Sequence, residues 1–321
     1  MQLETEPATS VVTKAKKKRG IISDIRKNPF SYLLLLPAAM YTFIFGYMTL
    51  PYMIIAFERF DYRKGIWFSE WVGLTNFEFF FKSSSAWVVT WNTIYLNFLF
   101  IASGTIAALF FSIMLNELIF SRYKKVIQST FLFPNFLSWV IVSYIVYALF
   151  STQYGVINQG LEALGFAPKN WYTDAESWPW ILVGLKIWKD AGITIVIYLA
   201  AITGIDQSLY EAATVDGASR WQQIRNITLP LLMPTVTILT LLAVGKIFNG
   251  DFGMIYALIG DNGMLYKTTD VIDTYVFRAL RRTGDPSAAM AVGLFQSIVG
   301  FILVFGVNRI AKRFFPDGAI F

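Results

Sequence analysis

The chain has 321 residues, 55% hydrophobic, 17% aromatic and only 15% charged, with a formal net charge of +6. An ordinary soluble domain carries about 25% charged residues, and this mean hydropathy of +0.52 leaves more apolar surface than a soluble fold can bury. The balance excludes disordered and fibrous classes and indicates a polytopic membrane protein. There is no cysteine and no histidine. That excludes disulfides, thiolate nucleophiles, cysteine metal sites and histidine general bases.

A membrane helix needs about 20 mostly apolar residues. Phe30 to Phe57 is a run of 28 residues without charge and supplies the first span. Its Pro37 and Pro51 are tolerable where neighbouring groups satisfy the freed carbonyls. The run is too long for a signal-peptide core and no small-x-small site follows it, so it is expected to be an uncleaved helix. Further spans are expected at 91–115 and 126–150, the fourth at 178–203, the fifth at 226–245 and the sixth at 286–308. The fourth carries Lys186, Lys189 and Asp190. Intramembrane charges usually face a bundle interior or an aqueous path. Lys186 and Asp190 stand four apart, so they share a helix face and either pair with each other or line a polar path. Lys246, near the end of the fifth span, is expected to snorkel to the interface.

Orientation follows from the basic residues. With the N-terminus inside, the cytoplasmic segments carry 15 Lys and Arg against 8 acids. The outer segments carry 9 Lys and Arg against 12 acids. This bias places both termini in the cytoplasm, chiefly through seven basic residues between Lys14 and Lys27. That cluster is a topology signal, and no feature points to nucleic acid. The expected organisation is a basic tail 1–29, a first helix 30–57, an extracytoplasmic loop 58–90, a five-helix core 91–310 and a tail 311–321. The stretch 251–285 is the longest late outer loop.

One cytoplasmic connection, 204–229, is long and patterned. Ser208 and Glu211, then Ser219 and Gln222, each have capping-box spacing. Gly217 lies between them as a helix stop. The expectation is helix, tight turn, helix. Leu209, Ala212 and Ala213 form one face, and Trp221, Ile224 and Ile227 or Thr228 the other. Such an exposed pair with small residues suits insertion into a groove on another protein.

At these residues the chain resembles ABC-importer permeases. Glu211-Ala212-Ala213, Gly217 and Ile227-x-Leu229-Pro230 fit that family's EAA motif at every defined position. Val72-Gly73-Leu74-x-Asn76-Phe77, Phe133-Pro134-Asn135 and Gly155-Val156-Ile157-Asn158 are also similar to family elements. The similarity covers roughly residues 30–315 and is closest to the maltose "F"-type carbohydrate branch. Within it, the chain resembles permeases for complex oligosaccharides such as alginate- or rhamnogalacturonan-type fragments. It departs from the maltose "F" subunit in lacking extra N-terminal helices and a large outer domain.

The resemblance implies a type I importer permease: all-α, six transmembrane helices, in the bacterial inner membrane. It implies a heterodimer with a second permease, two ATP-binding subunits and an extracytoplasmic sugar-binding protein. The 204–229 loop then couples to the ATPases through Glu211, Ala212, Ala213, Gly217, Ile227, Leu229 and Pro230. Glu211 is equally readable as a capping residue. The chain itself carries no Walker A sequence, so it is expected not to be an enzyme and to hold no cofactor or metal, with ATP and Mg on the partners. Sugar sites combine aromatic faces with polar groups. The path candidates are Lys186, Trp188, Lys189, Asp190, Trp139, Tyr144, Asn249 and Asp251, with Tyr147, Tyr198 and Tyr256 beside them. Lysines there suit an acidic oligosaccharide. The competing expectations are a self-contained secondary transporter or channel, which needs repeats and an ion relay, and a membrane enzyme, which needs a paired carboxylate or serine constellation.

Overall fold

The computed structural model describes residues 25–118 and 120–314. The basic cluster from Lys14 to Arg19 and the last seven residues of the C-terminal tail lie outside the described residues. The chain forms two compact units, one ending at Met53 and one from Ile54 onward. In the first, helix α1 (Pro29–Thr42) passes into a wider turn at Phe43–Tyr47. It is apolar on every side, which lipid satisfies and water does not.

The second unit is helical apart from one short ladder among its described residues. Strands β1 (Glu58–Arg59) and β2 (Glu70–Trp71) pair antiparallel, with Glu58 opposite Trp71. Helix α2 (Thr75–Phe81) follows. Asn76 explains the local motif: its Nδ2 donates to the carbonyls of Ala56 and Glu58, 2.9 Å each. The segment 58–90, expected as an extracytoplasmic loop, is therefore partly folded and not an open loop.

Helix α3 (Ser84–Glu117) has 34 residues and is capped by the Ser83 hydroxyl, which accepts from the Ser85 backbone N–H. At 1.5 Å per residue it extends about 50 Å, more than the bilayer core. Next come α4 (Ser121–Leu132), a 3₁₀ turn Phe133–Phe136, and α5 (Trp139–Phe150). The uncharged stretch expected as one span at 126–150 is thus broken, with a bend of 100°. Pro134 lacks the N–H that would continue α4, and the Ser138 hydroxyl accepts from the Ile141 N–H to start α5 afresh.

After α6 (Val156–Ala163), Asn158 organises the loop. Its Oδ1 accepts from Lys169 N–H and Trp171 Nε1, while its Nδ2 reaches the Thr152 and Lys169 carbonyls. Nearby, Lys169 and the Ser177 hydroxyl hold the half-buried Asp174 carboxyl down to about 2, from an ordinary 3.8. A depressed carboxylate stabilises the fold above its ordinary value and loses that contribution as pH falls through the folded value. Carboxyl NMR should therefore show Asp174 still ionised at pH 3, its pairing with Lys169 breaking only near pH 2; a Lys169→Met variant should raise it part of the way to the ordinary range, the Ser177 and Glu176 contacts remaining.

Helix α7 (Trp178–Thr203) runs 26 residues without a break despite its three charges. It packs along α3, where Ala108 and Leu115 meet Ala191, Ile195, Tyr198, Leu199 and Ile202. Gly192 sits against α4: a Cβ there would lie 2.2 Å from the Phe131 carbonyl oxygen. Gly192→Ala should push the two helices apart and destabilise the protein by about 1–3 kcal/mol, read as a lower melting temperature of the purified chain.

Helix α8 (Gln207–Val215) and the short α9 (Arg220–Gln223) form the helix pair expected at 204–229. A wider turn at Ile224–Thr228 then leads into α10 (Leu229–Val244). The widening relieves the clash Pro230 would make with the carbonyl four residues earlier. The fifth span therefore begins at Arg220, earlier than expected. The segment 251–285 is a second correction. It is folded as α11 (Phe252–Ile259), α12 (Tyr266–Thr269) and α13 (Ile272–Thr283). Met254, Ile255, Leu258, Leu265 and Val271 are buried against Leu96, Val142, Trp178 and Leu182. Helix α14 (Pro286–Phe314) closes the described chain. Among the described residues, four helical runs are long and apolar enough to cross a membrane, and six if each of two bent pairs counts as one span.

Candidate translocation cavity and coupling helices

A cavity of about 510 Å³ opens between α3, α7 and the junction of α10 with α11. From α3 come Asn97, Gly104 and Thr105; from α7 Lys186, Asp190 and Thr194. The junction contributes Lys246, Asn249, Gly250 and Asp251. Lys186 Nζ lies 2.7 Å from Asp190 Oδ2 and 2.7 Å from Asp251 Oδ2. The intrahelical pair expected from spacing therefore forms, and Asp251 joins it from 65 residues away. Asp251 also N-caps α11, accepting from Met254 N–H at 3.1 Å. Lys189 is buried outside the cavity lining. It donates to the Asn135 carbonyl at 3.2 Å and lies 5.0 Å from the Trp139 ring. Its ammonium so meets the carbonyl end of the broken turn, where a cation is favoured.

The path candidates do not all converge. Lys186, Asp190, Asn249 and Asp251 line the cavity, with buried Tyr198 on its wall. Trp139 touches it indirectly, its ring 5.9 Å from Lys186 Nζ. Trp188 faces a separate cavity with Phe131 and Pro134. Tyr144 and Tyr147 are exposed, and Tyr147 packs on Tyr172. Tyr256 accepts from Arg281 at 2.9 Å away from the cavity lining. Lys246, expected to snorkel, instead lines the cavity. Asn97 was not among the candidates. Its Nδ2 donates to the Asn249 carbonyl at 3.1 Å. The signal was present: Asn97, Ile101, Gly104 and Thr105 recur at helical spacing. Asp273, expected only as a charge of the 251–285 loop, was not among the path candidates either. It accepts from Gly250 N–H at 2.6 Å and from Gln296 Nε2 at 3.0 Å, fixing the junction. Burial pushes its carboxyl above the usual carboxylate range.

The second feature is the helix pair α8 and α9. The first expected capping box is not formed. Asp206 caps α8 in place of Ser208, accepting from the Ser208 backbone N–H at 3.0 Å. That bond, with the Ser208 hydroxyl, holds the Asp206 carboxyl below its ordinary value. Aspartate two residues before Ser208 competes directly for the same orphan N–H groups, and its charge suits a helix start. Glu211 is thereby left exposed and uninvolved in capping. The second box is present: Ser219 N–H donates to Gln222 Oε1 at 2.7 Å, and Gln222 N–H to the Ser219 hydroxyl.

Gly217 has φ +79. Its N–H donates to the Thr214 carbonyl and the Ala218 N–H to the Ala213 carbonyl, closing α8. Two contacts that the sequence pattern did not disclose stiffen the pair. Buried Gln223 donates to Thr214 Oγ1 and the Ala218 carbonyl at 3.0 and 3.2 Å. Tyr210 and Thr228 share a 2.9 Å hydroxyl contact. The pair still presents apolar surface, with Val215 87% and Trp221 67% exposed. Among the described residues no cluster of acids could hold a metal.

A polytopic helical bundle with a charged internal cavity and a braced, exposed helix pair is the anatomy of a membrane transport component. The chain belongs to the family of binding-protein-dependent transport system inner membrane components, whose pattern matches residues 104–315. It is 35% identical to "Protein LplB" of Bacillus subtilis (strain 168), over 98% of this chain and 99% of that one. It is 33% identical to the "Polygalacturonan/rhamnogalacturonan transport system permease protein YteP" of the same organism, over 96% of each chain. Among solved structures it is similar to a chain of a bacterial ABC transporter involved in the import of the acidic polysaccharide alginate. The TM-score is 0.84 at 32% identity, over 91% of this chain and 98% of that one. Membership makes this chain an inner-membrane permease of an ABC importer and sets aside the self-contained carrier and the membrane enzyme.

Proposed function

We propose that this chain is one of two different permease subunits of an importer for acidic oligosaccharides of the pectin or alginate kind. Both termini lie in the cytoplasm. The pair α8 and α9 docks into a cleft of one of two partner ATPases, which bind ATP and Mg. An extracytoplasmic binding protein delivers the sugar; the similar bacterial alginate ABC transporter has been solved in complex with an alginate pentasaccharide-bound periplasmic protein. Glu211, Ala212, Ala213, Gly217, Ile227, Leu229 and Pro230 form the coupling element.

The observation that carries the reading is the cavity. Its two cations and two carboxylates, with Asn97, Thr105, Thr194 and Asn249, supply donors and acceptors suited to hydroxyl-rich, charged ligands. The mechanism needs the helix pair to be stiff, because a lever that bends transmits no motion. The Ser219–Gln222 box, the Gln223 brace and the Tyr210–Thr228 contact supply that stiffness.

The test is uptake into proteoliposomes holding this chain with its partner permease and ATPases. A galacturonate or mannuronate oligomer should enter only with ATP and binding protein. The isolated chain should hydrolyse no ATP. Accumulation driven by an ion gradient in the isolated chain would overturn the reading.

A further inference from the structure

Two cations line the cavity, and they are not equivalent. Lys186 is held between two carboxylates at 2.7 Å each. Three hydrogens are available on an ammonium, and two already point at Asp190 and Asp251. The lining group Asp190–Lys186–Asp251 sums to one negative charge, which disfavours an incoming carboxylate at close range. Lys189 lies outside the lining, donating to Asn135 and sitting over Trp139, and its ammonium reaches Asp190 Oδ1 only at 3.7 Å, which offsets that charge in part. Lys246 is different. It is exposed, it lines the cavity, and among the described residues its ammonium has no ion-pair or hydrogen-bond partner. The lining is therefore neutral in sum but divided, with a negative pole at the triad and a positive one at Lys246.

We propose that Lys246 is the specificity-determining residue that recognises the substrate's carboxylate, while Asp190 and Asp251 accept hydrogen bonds from its hydroxyls. This rests on the reading of the chain as an acidic-oligosaccharide permease. Lys186 is then a fixed counter-ion that holds the two carboxylates adjacent. A uronic acid fits both poles at once. Its ring hydroxyls are donors, which suit carboxylate acceptors, and its carboxylate is an acceptor, which suits a free ammonium. A neutral sugar fills only the first pole.

The experiment uses the assembled transporter in nanodiscs. Binding of a galacturonate trisaccharide and of its methyl ester is measured by calorimetry for wild type, Lys246→Gln, Lys246→Arg and Lys186→Gln. Loss of a charge-assisted contact lowers affinity by about tenfold or more. The acid-to-ester affinity ratio should therefore fall by about tenfold in Lys246→Gln, and Lys246→Arg should keep it near wild type. Lys186→Gln should weaken both probes in parallel, leaving the ratio unchanged. Retention of the wild-type ratio in Lys246→Gln, with the acid still bound, would overturn the role of Lys246 alone. A wild type that prefers the ester, or binds neither probe, would overturn the acidic-oligosaccharide reading and this inference with it. Co-purified ATPase in each variant verifies that the complex has assembled.

Discussion

Gly217→Val should abolish most ATP-driven uptake while leaving the chain inserted in the membrane. Gly217 has φ +79, and a Cβ built there meets nothing within 4 Å. The effect is therefore conformational and not a clash. An L-residue in the left-handed region costs about 1–2 kcal/mol, and a β-branched one more. The turn relieves that strain by giving up the bonds from Gly217 N–H to Thr214 and from Ala218 N–H to Ala213. Without them α8 and α9 lose their fixed angle, and Gln223 loses its place between Thr214 and Ala218. A shift of that size changes the balance between the native turn and its relaxed alternatives about tenfold. Asparagine tolerates this backbone region better than other non-glycine residues. The expected order of uptake is thus wild type, Asn, Ala, Val. ATPase co-purification should follow the same order. Equal uptake and equal co-purification across the series would remove Gly217 from the coupling role.

An effect on stability as large as that at Gly192 is expected at Lys186. Lys186→Met leaves Asp190 and Asp251 close together with their shared cation gone and only Lys189, 3.7 Å from Asp190, in reach. Breaking a fully buried pair costs about 3–5 kcal/mol. Here the Lys186 side chain is 26% exposed, so water softens the penalty to about 1–3 kcal/mol. Asp251 also caps α11. Its displacement would loosen the α10–α11 junction as well. The melting temperature of the detergent-purified chain should fall, and adding Asp251→Asn should restore part of it, because one charge then needs no partner. A double variant less stable than Lys186→Met would show that Asp251 acts mainly through the cap and not through the ion pair.

Much of the architecture was legible in sequence because membranes make composition informative. Uncharged runs near 20 residues have few soluble alternatives, and they located most of the long helices. Capping chemistry is local too, and it identified the Ser219–Gln222 box and the Gly217 turn. It failed at Ser208 for a local reason, since Asp206 two residues earlier takes the same N–H groups. The 100° break at Leu137–Ser138 went unread because Pro134 in a membrane helix is compatible with a mere kink. The folding of 251–285 went unread because its helices are short and its charges suggest a hydrated loop.

By itself, then, the sequence determined that this is a multi-helix membrane protein with charges in one span and a patterned loop. Those properties depend on composition and on neighbours within one turn of helix. Only the tertiary structure decided which charges belong together. Asp251 reaches Lys186 across 65 residues, Asn97 reaches Asn249 across 152, and Trp188 turns away from a cavity that its neighbours line. No periodicity along one helix encodes which face of another it will meet. That depends on packing such as the close approach of Gly192 to Phe131, which fixes how α7 is turned and so which lysine faces the cavity.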